Sequence, residues 1–336
     1  MKHRHVLLSL ILICASLLFT TGCGERFTDR NIVLTTGFAP DEVFKLEDRS
    51  CSLPEILIYL NNTRNQYESV YGPDIWSTTV EGVNLADSVK DNALAHISQI
   101  KAMNILAAKE NISLTEEELS LVDQAAKEYY GSLTEIEAEK LQATPELIAR
   151  MYGEYALAHK FYREIIKDIS PEISDDEART ITVLHIFIEA GSPDSYDRAK
   201  MVHDLATDGE HDFTDLTLEY SDGTISEYSF SKGEMDPELE EVAFNLGNNE
   251  VSDVITTSSG YHIIKCLSTF NREETDLNKE KISQQEKEKV FGANYDSYAS
   301  TLTKYLNEEL WDSIRIRPDD TIQTKSFFEI YHKYLD

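Results

Sequence analysis

Cysteine is scarce in this 336-residue chain, with only four. Cys14 falls in the apolar leader and Cys23 directly follows it, which leaves Cys51 and Cys266 for the body of the protein. Two thiols in a chain of this size exclude a disulfide-built scaffold, although a single Cys51 to Cys266 bridge stays open on sequence alone. Basic residues are also few: 31 Lys and Arg stand against 61 Asp and Glu, a formal net charge of −30. The leader carries Lys2 and Arg4 and no acid, so the remainder is more acidic still. Such a chain repels nucleic acid and anionic headgroups, and favours partners that are neutral or basic. Long hydrophobic runs are missing too. The one unbroken run, Val6 to Phe19, is shorter than the roughly 20 residues needed to cross a bilayer. It follows Met1-Lys2-His3-Arg4-His5, which is the layout of a secretory signal peptide.

The run ends in Thr20-Thr21-Gly22-Cys23, which resembles a lipobox apart from Thr20, where an aliphatic is usual. That resemblance implies a diacylglyceryl thioether on Cys23, palmitate-type acylation and a membrane partner reached through a lipid anchor. Each buried methylene would contribute about 0.8 kcal/mol to holding the chain at a bilayer surface. The alternative is plain leader cleavage and a soluble exported product.

After the leader the chain is too long for one typical domain, so two folding units are expected. Glycine is sparse from Asp41 to Asp168, and helix signals are dense there. Val89, Ala93, Ile97 and Ile100 recur at three- and four-residue steps on one face, the stripe of a core-facing helix. His96 beside it reads as a packed or solvated helix histidine rather than a ligand. Thr115 with Glu118 and Thr134 with Glu137 fit the capping box, and Thr144-Pro145 places a capping hydroxyl before a first-turn proline. Tyr152, Tyr155 and Phe161 follow, suited either to helix packing or to a groove for client chains.

Pro171 and Ser174-Asp175-Asp176-Glu177 mark a boundary and a further helix start. Thr180 to Ile188 is then β-branched and strand-like. Helices follow at Ser195 to Asp208, closed by Gly209, at Phe213 to Tyr220 and at Pro237 to Leu246. A strand ends the block at Gly260-Tyr261-His262-Ile263-Ile264-Lys265, giving an α+β unit. Helix returns over Glu280 to Glu309, Ser313 to Arg317 alternates like a strand, and Phe327 to Tyr331 closes an apolar cluster. These C-terminal elements are expected to pack back onto the N-terminal helices.

Residues 180–268 resemble the parvulin family of peptidyl-prolyl isomerases. The residues that carry this are Thr182-Val183-Leu184-His185-Ile186, Lys232-Gly233-Glu234-Met235, Ala243-Phe244-Asn245-Leu246 and the long stretch Val251 to Lys265, in this order and spacing. With the lipobox-like leader and the helical flanks, the layout is similar to the PrsA-like and SurA-like foldase lipoproteins. The resemblance implies an α+β chain in which a parvulin (FKBP-like) domain is inserted into a helical, chaperone-like domain. The implied order is a signal peptide over 1–22, a lipid-anchored linker over 23–40 and a helical segment over 41–177. The isomerase domain then covers 178–270, and C-terminal helices cover 271–336.

By the same resemblance, His185 and His262 form a facing pair, with Thr257 and Ser259 completing their hydrogen bonds. Met235 and Leu239 line a slot for the proline ring, with Phe244 beneath. The family has Cys or Asp facing the histidines, and here either Gly223 or, through a shortened loop, Asp222 stands at that place. Glu227 stands at a pocket leucine and Leu239 at a frequent pocket phenylalanine. Both changes weaken a slot for proline, so a non-catalytic chaperone or holdase with a degenerate domain is the competing reading. A third is an envelope adaptor without foldase duty. Amide rotation breaks no bond to hydrogen and needs no cofactor, so the histidines are expected to shape and polarise the site. Read from the residues alone, a hydrogen-bonded core pair with no catalytic duty is the favoured reading. A metal site is not expected, since no third ligand stands at a recognisable spacing. The loop Glu189 to Asp194 lacks the basic cluster that pairs with phosphate. The implied partners are unfolded or partly folded exported polypeptides, engaged at Xaa-Pro segments.

Overall fold

The N-terminal segment opens on strands, not on the helix expected from Asp41 onward. In the computed structural model, which describes residues 37–224 and 226–335, β1 (Glu42–Leu46) and β2 (Arg49–Ser52) form an antiparallel hairpin. The leader, Cys23 and most of the 23–40 linker lie outside the described residues. Among the described residues no helix is long and apolar enough to cross a membrane.

The described residues fall into two units, one within 1–168 and 291–336 and the other over 169–290. In the first, α1 (Leu53–Tyr71) is followed by a 3-10 turn (Pro73–Ser77), a small hairpin of β3 (Thr79–Val80) and β4 (Val83–Asn84), α2 (Leu85–Lys109), α3 (Glu116–Ser132), α4 (Glu135–Lys140) and α5 (Pro145–Lys167). The starts of these helices are set locally. Thr115 and Thr134 accept the amide hydrogens of Glu118 and Glu137, whose carboxylates accept those of Thr115 and Thr134 in return, and Thr144 caps Leu147. Each such cap contributes about 1 kcal/mol.

The C-terminal segment closes the first unit. Its elements are the end of a long helix, β9 (Lys304–Leu306), α10 (Glu308–Ser313) and α11 (Phe327–Leu335). β9 pairs with β1 across more than 250 residues, so the helix expected to run to Glu309 stops at Ala299. Phe327 is fully buried and stacks on Tyr152 with centroids 4.5 Å apart. The Tyr152 hydroxyl donates to its carbonyl at 2.7 Å. Tyr129, Tyr152 and Tyr155 are thereby core, the first two with no exposed surface. His96 is packed between Tyr59 and Tyr155. Lys101, 1% exposed, lies 2.8 Å from Glu55 and 2.6 Å from Glu154.

Ser313, expected to begin a strand, instead ends α10, and Ile314 to Arg317 joins no sheet, although Ile314 itself is extended. Buried cations take its carbonyls in place of a neighbouring strand. Lys90 donates to Trp311 and Ile314, and Arg64 to Arg317, Asp319 and Ile322.

The second unit is a four-stranded antiparallel sheet in the order β6-β5-β8-β7. The elements in chain order are β5 (Thr180–Glu189), α6 (Ser195–Thr207), α7 (Phe213–Tyr220), β6 (Glu227–Ser231), α8 (Pro237–Ala243), β7 (Ile255–Thr256), β8 (Gly260–Ser268) and the first part of α9 (Arg272–Ala299). Strand alternation sorts β5 onto two faces. Leu184, Ile186 and Ile188 pack with Ile263 under α6 and α7, whereas Ile181 and Val183 pack with Phe230, Ile264 and the α8 residues Leu239 and Ala243. Ser174 caps only a single turn, through Glu177 and Ala178, and no helix follows. Cys51 in the first unit and Cys266 in the second are free and buried; burial raises the pKa of both thiols.

Candidate active site around two histidines

The face that carries Ile181 and Val183 continues along β5 through His185 and Phe187. On β8 the partner of Phe187 is His262, and that of His185 is Ile264. Antiparallel partners share a face, so the two imidazoles meet. Nε2 of His185 lies 2.9 Å from Nδ1 of His262, and the two ring planes are nearly parallel, 12° apart, with centroids 5.1 Å apart.

This register depends on Gly260. A Cβ there would lie 2.2 Å from the carbonyl oxygen of Ile188 and 2.8 Å from the Phe187 ring. Only glycine lets β8 start this close to β5. The β7 to β8 turn then brings Thr257 Oγ1 within 2.8 Å of His262 Nε2 and 2.9 Å of Ser259 Oγ.

Four of the residues expected at the site, His185, His262, Thr257 and Ser259, thus form one hydrogen-bonded row. A fifth member was not anticipated: the Tyr228 hydroxyl lies 3.0 Å from His185 Nδ1. The signal was there in the period of two, because residues 228 and 230 pair with 183 and 181. Without that register, a tyrosine between Glu227 and Ser229 has no distinguishing mark.

The row is neutral. Burial, with His262 adding to it, pushes the His185 pKa down to about 4. Burial also lowers that of His262, against an opposing effect of the Asp236 carboxylate. Burial holds the Tyr228 proton, pushing its pKa up to about 12. Neutral imidazoles have one donor and one acceptor nitrogen each, which suits a continuous row of single hydrogen bonds.

Asp222, expected to face the histidines, does not join them. Its carboxylate accepts from the Glu189 amide and from Arg198, each at 3.0 Å. Gly223, the other candidate for that place, donates its N–H to Ser221 Oγ. Glu227 pairs with Leu184, so alternation puts it on the sheet face opposite the histidines. The charge that looked damaging to a proline slot is therefore not beside the row. Leu239, expected to line the slot, is 1% exposed and packs in the core under α8. Met235 is half-buried against the same cluster. Phe244 packs edge-on to Phe230 with the Arg179 guanidinium 5.0 Å from its centroid. Arg198 also donates to the Tyr220 carbonyl, so the one arginine near the first loop is already engaged. Among the described residues no group of three His, Cys, Asp or Glu side chains is placed to hold a metal ion.

Comparison with known proteins agrees with this geometry. The family described as rotamase, PPIC-type PPIASE domain, matches residues 182–268. The chain is 29% identical over 217 residues to the foldase protein PrsA of Caldanaerobacter subterraneus subsp. tengcongensis, covering 60% of this chain and 65% of that protein. It is 30% identical over 203 residues to PrsA of Oceanobacillus iheyensis, covering 56% and 64%. The match thus spans just under two thirds of the length of either relative. A crystal structure of PrsA from Bacillus cereus aligns with 75% of this chain and 97% of its own at 19% identity, with a TM-score of 0.37. The unit built around the two histidines matches the PPIC-type rotamase family over residues 182–268, and the chain that carries it is similar to the PrsA foldases.

Proposed function

We propose that this protein is an extracytoplasmic foldase that accelerates cis-trans isomerisation of Xaa-Pro bonds in exported polypeptides. The observation that carries this reading is the neutral row Tyr228, His185, His262, Thr257 and Ser259, set in a domain that matches the PPIC-type rotamases. Rotation about the amide faces a barrier of about 18–20 kcal/mol because resonance is lost. A catalyst must bind the twisted amide better than either planar form. Met235 supplies apolar contact for the pyrrolidine ring, and the histidine row fixes hydroxyl groups beside the amide without exchanging protons with it. No cofactor takes part.

The first unit, residues 41–168 with the C-terminal segment, serves as the chaperone part and holds unfolded clients, while residues 178–270 act on their prolines. Export through the leader and a diacylglyceryl anchor on Cys23 place both at the outer face of the cell membrane. The acidity of the chain supports neutral or basic client segments over acidic ones.

Isomerisation of a short Xaa-Pro peptide by the purified chain tests the reading. His262→Ala and Met235→Ala should each lower kcat/KM by about tenfold or more, corresponding to at least about 1.4 kcal/mol. A wild-type rate no faster than the uncatalysed one would leave a non-catalytic holdase. Suppression of client aggregation by a variant lacking residues 180–268 tests the helical part independently. Incorporation of labelled palmitate, lost in Cys23→Ala, tests the anchor.

A further inference from the structure

The row across the site has two self-consistent proton arrangements. In the first, the Tyr228 hydroxyl donates to His185 Nδ1, His185 Nε2–H donates to His262 Nδ1, and His262 Nε2–H donates to Thr257 Oγ1. In the second every hydrogen runs the other way, both rings carry their hydrogen on Nδ1, and the phenol oxygen ends the row as an acceptor. Mixed arrangements fail, because a neutral imidazole has a single N–H and a mixed pair sets two hydrogens or two lone pairs against each other. A carboxylate at the position of the phenol could only accept and would impose the second arrangement. Asp222, the acid expected to face the histidines, is instead bound to Arg198 and the Glu189 amide.

We propose that Tyr228 is a positioning residue that donates its hydroxyl hydrogen to His185 and thereby holds both His185 and His262 as Nε2–H tautomers. Two observations on the tyrosine carry this. Its hydroxyl lies within hydrogen-bond distance of His185 Nδ1 alone among the described residues, and the side chain is half-buried. If the phenol accepted, its own hydrogen would be left without a partner among the described residues, which is costly to the extent that the half-buried side chain is shielded from water. An imidazole nitrogen is also the better acceptor of the two.

The far end of the row follows. Thr257 Oγ1 then accepts from His262 Nε2–H and from the Ser259 amide, 3.2 Å away. With both lone pairs used, its hydrogen goes to Ser259 Oγ. The Ser259 hydrogen has no acceptor among the described residues, and Ser259 is exposed. Polarity runs outward, from a half-buried phenol to a surface hydroxyl that presents a donor. On twisting, a proline amide regains a nitrogen lone pair that can accept such a bond. This last step rests on the isomerase reading, whereas the tautomer assignment does not.

The test is long-range proton–nitrogen NMR of the full chain labelled with 15N-histidine at pH 7, with the two rings assigned through His185→Gln and His262→Gln. Both rings should show the Nε2–H pattern. Tyr228→Phe keeps the ring and its packing but removes the donor. It should move His185 and His262 toward Nδ1–H or a mixture, and lower isomerisation by roughly tenfold, as expected for one lost hydrogen bond. Nδ1–H rings in the wild type, or a Tyr228→Phe spectrum unchanged from it, would overturn the assignment. An Nε2–H pair in a chain inactive on every Xaa-Pro peptide would instead remove the isomerase reading and leave the assignment standing.

Discussion

Arg198 holds Asp222 through one guanidinium nitrogen that lies 3.0 Å from each carboxylate oxygen. This pairing explains why the acid that sequence reasoning set against the histidines is absent from their row. Asp222→Ala should leave peptide isomerisation within about twofold of wild type. It should cost about 1 kcal/mol of stability, because a partly exposed ion pair and one amide bond are lost. Peptide assays beside urea unfolding check this, and a tenfold fall in kcat/KM would return Asp222 to the site.

Gly260→Ala acts through the backbone. The added methyl carbon would stand 2.2 Å from the Ile188 carbonyl oxygen, so β8 must move away from β5 at the point that pairs His262 with Phe187. A loss of about 2–4 kcal/mol is expected. The His185 and His262 resonances should shift even where the variant stays folded, whereas an unperturbed histidine pair would show that the strand start is not what sets the register.

Acid sensitivity follows from the buried imidazoles. The pKa values of His185 and His96 are both pushed down to about 4 by burial, with a neighbouring histidine adding to each. An unfolded histidine titrates near 6.5. As pH falls below 6.5 the unfolded chain therefore takes up protons that the folded chain refuses, and stability present above that pH is lost progressively down to about 4. The slope is about 1.4 kcal/mol per pH unit for each such histidine. Trp76 and Trp311 both lie in the first unit, so tryptophan fluorescence during urea unfolding reads that unit alone. His96→Leu should flatten its dependence between pH 6.5 and 4.5, and an equally steep wild-type and variant profile would exclude His96 as the cause.

Lys101→Met is the severe change in the first unit. It leaves Glu55 and Glu154 without the ammonium that lies 2.8 Å and 2.6 Å from them, and removing one partner of a buried ion group costs about 3–5 kcal/mol. The fluorescence midpoint in urea should fall accordingly, with peptide isomerisation by the second unit retained at low denaturant. A midpoint within experimental error of wild type would mean that water reaches the cluster.

Features set by neighbours in the chain were legible in the sequence. The capping pairs Thr115 with Glu118 and Thr134 with Glu137 form as read, because three residues suffice to specify them. β9 was not legible: its partner is β1, and nothing in Lys304 to Leu306 announces a strand more than 250 residues away. Ser313 to Arg317 misled for a related reason, since its carbonyls go to Lys90 and Arg64, cations no local pattern connects to it. At the site, the resemblance brought out His185, His262, Thr257 and Ser259. Whether Leu239 faced a slot or the core depended on which side of α8 met the sheet. Tyr228 depended on the β5 to β6 register.

Among the described residues, the first unit is begun by β1 and finished by α11, with the entire second unit between them in the chain. Until α11 is made, the rings of Tyr59, Tyr129 and Tyr152 that Phe327 packs against lack that partner. The inserted domain has all its strands well before that moment. A growing chain therefore carries the strands of a completed sheet while its helical body still lacks the segment that closes it.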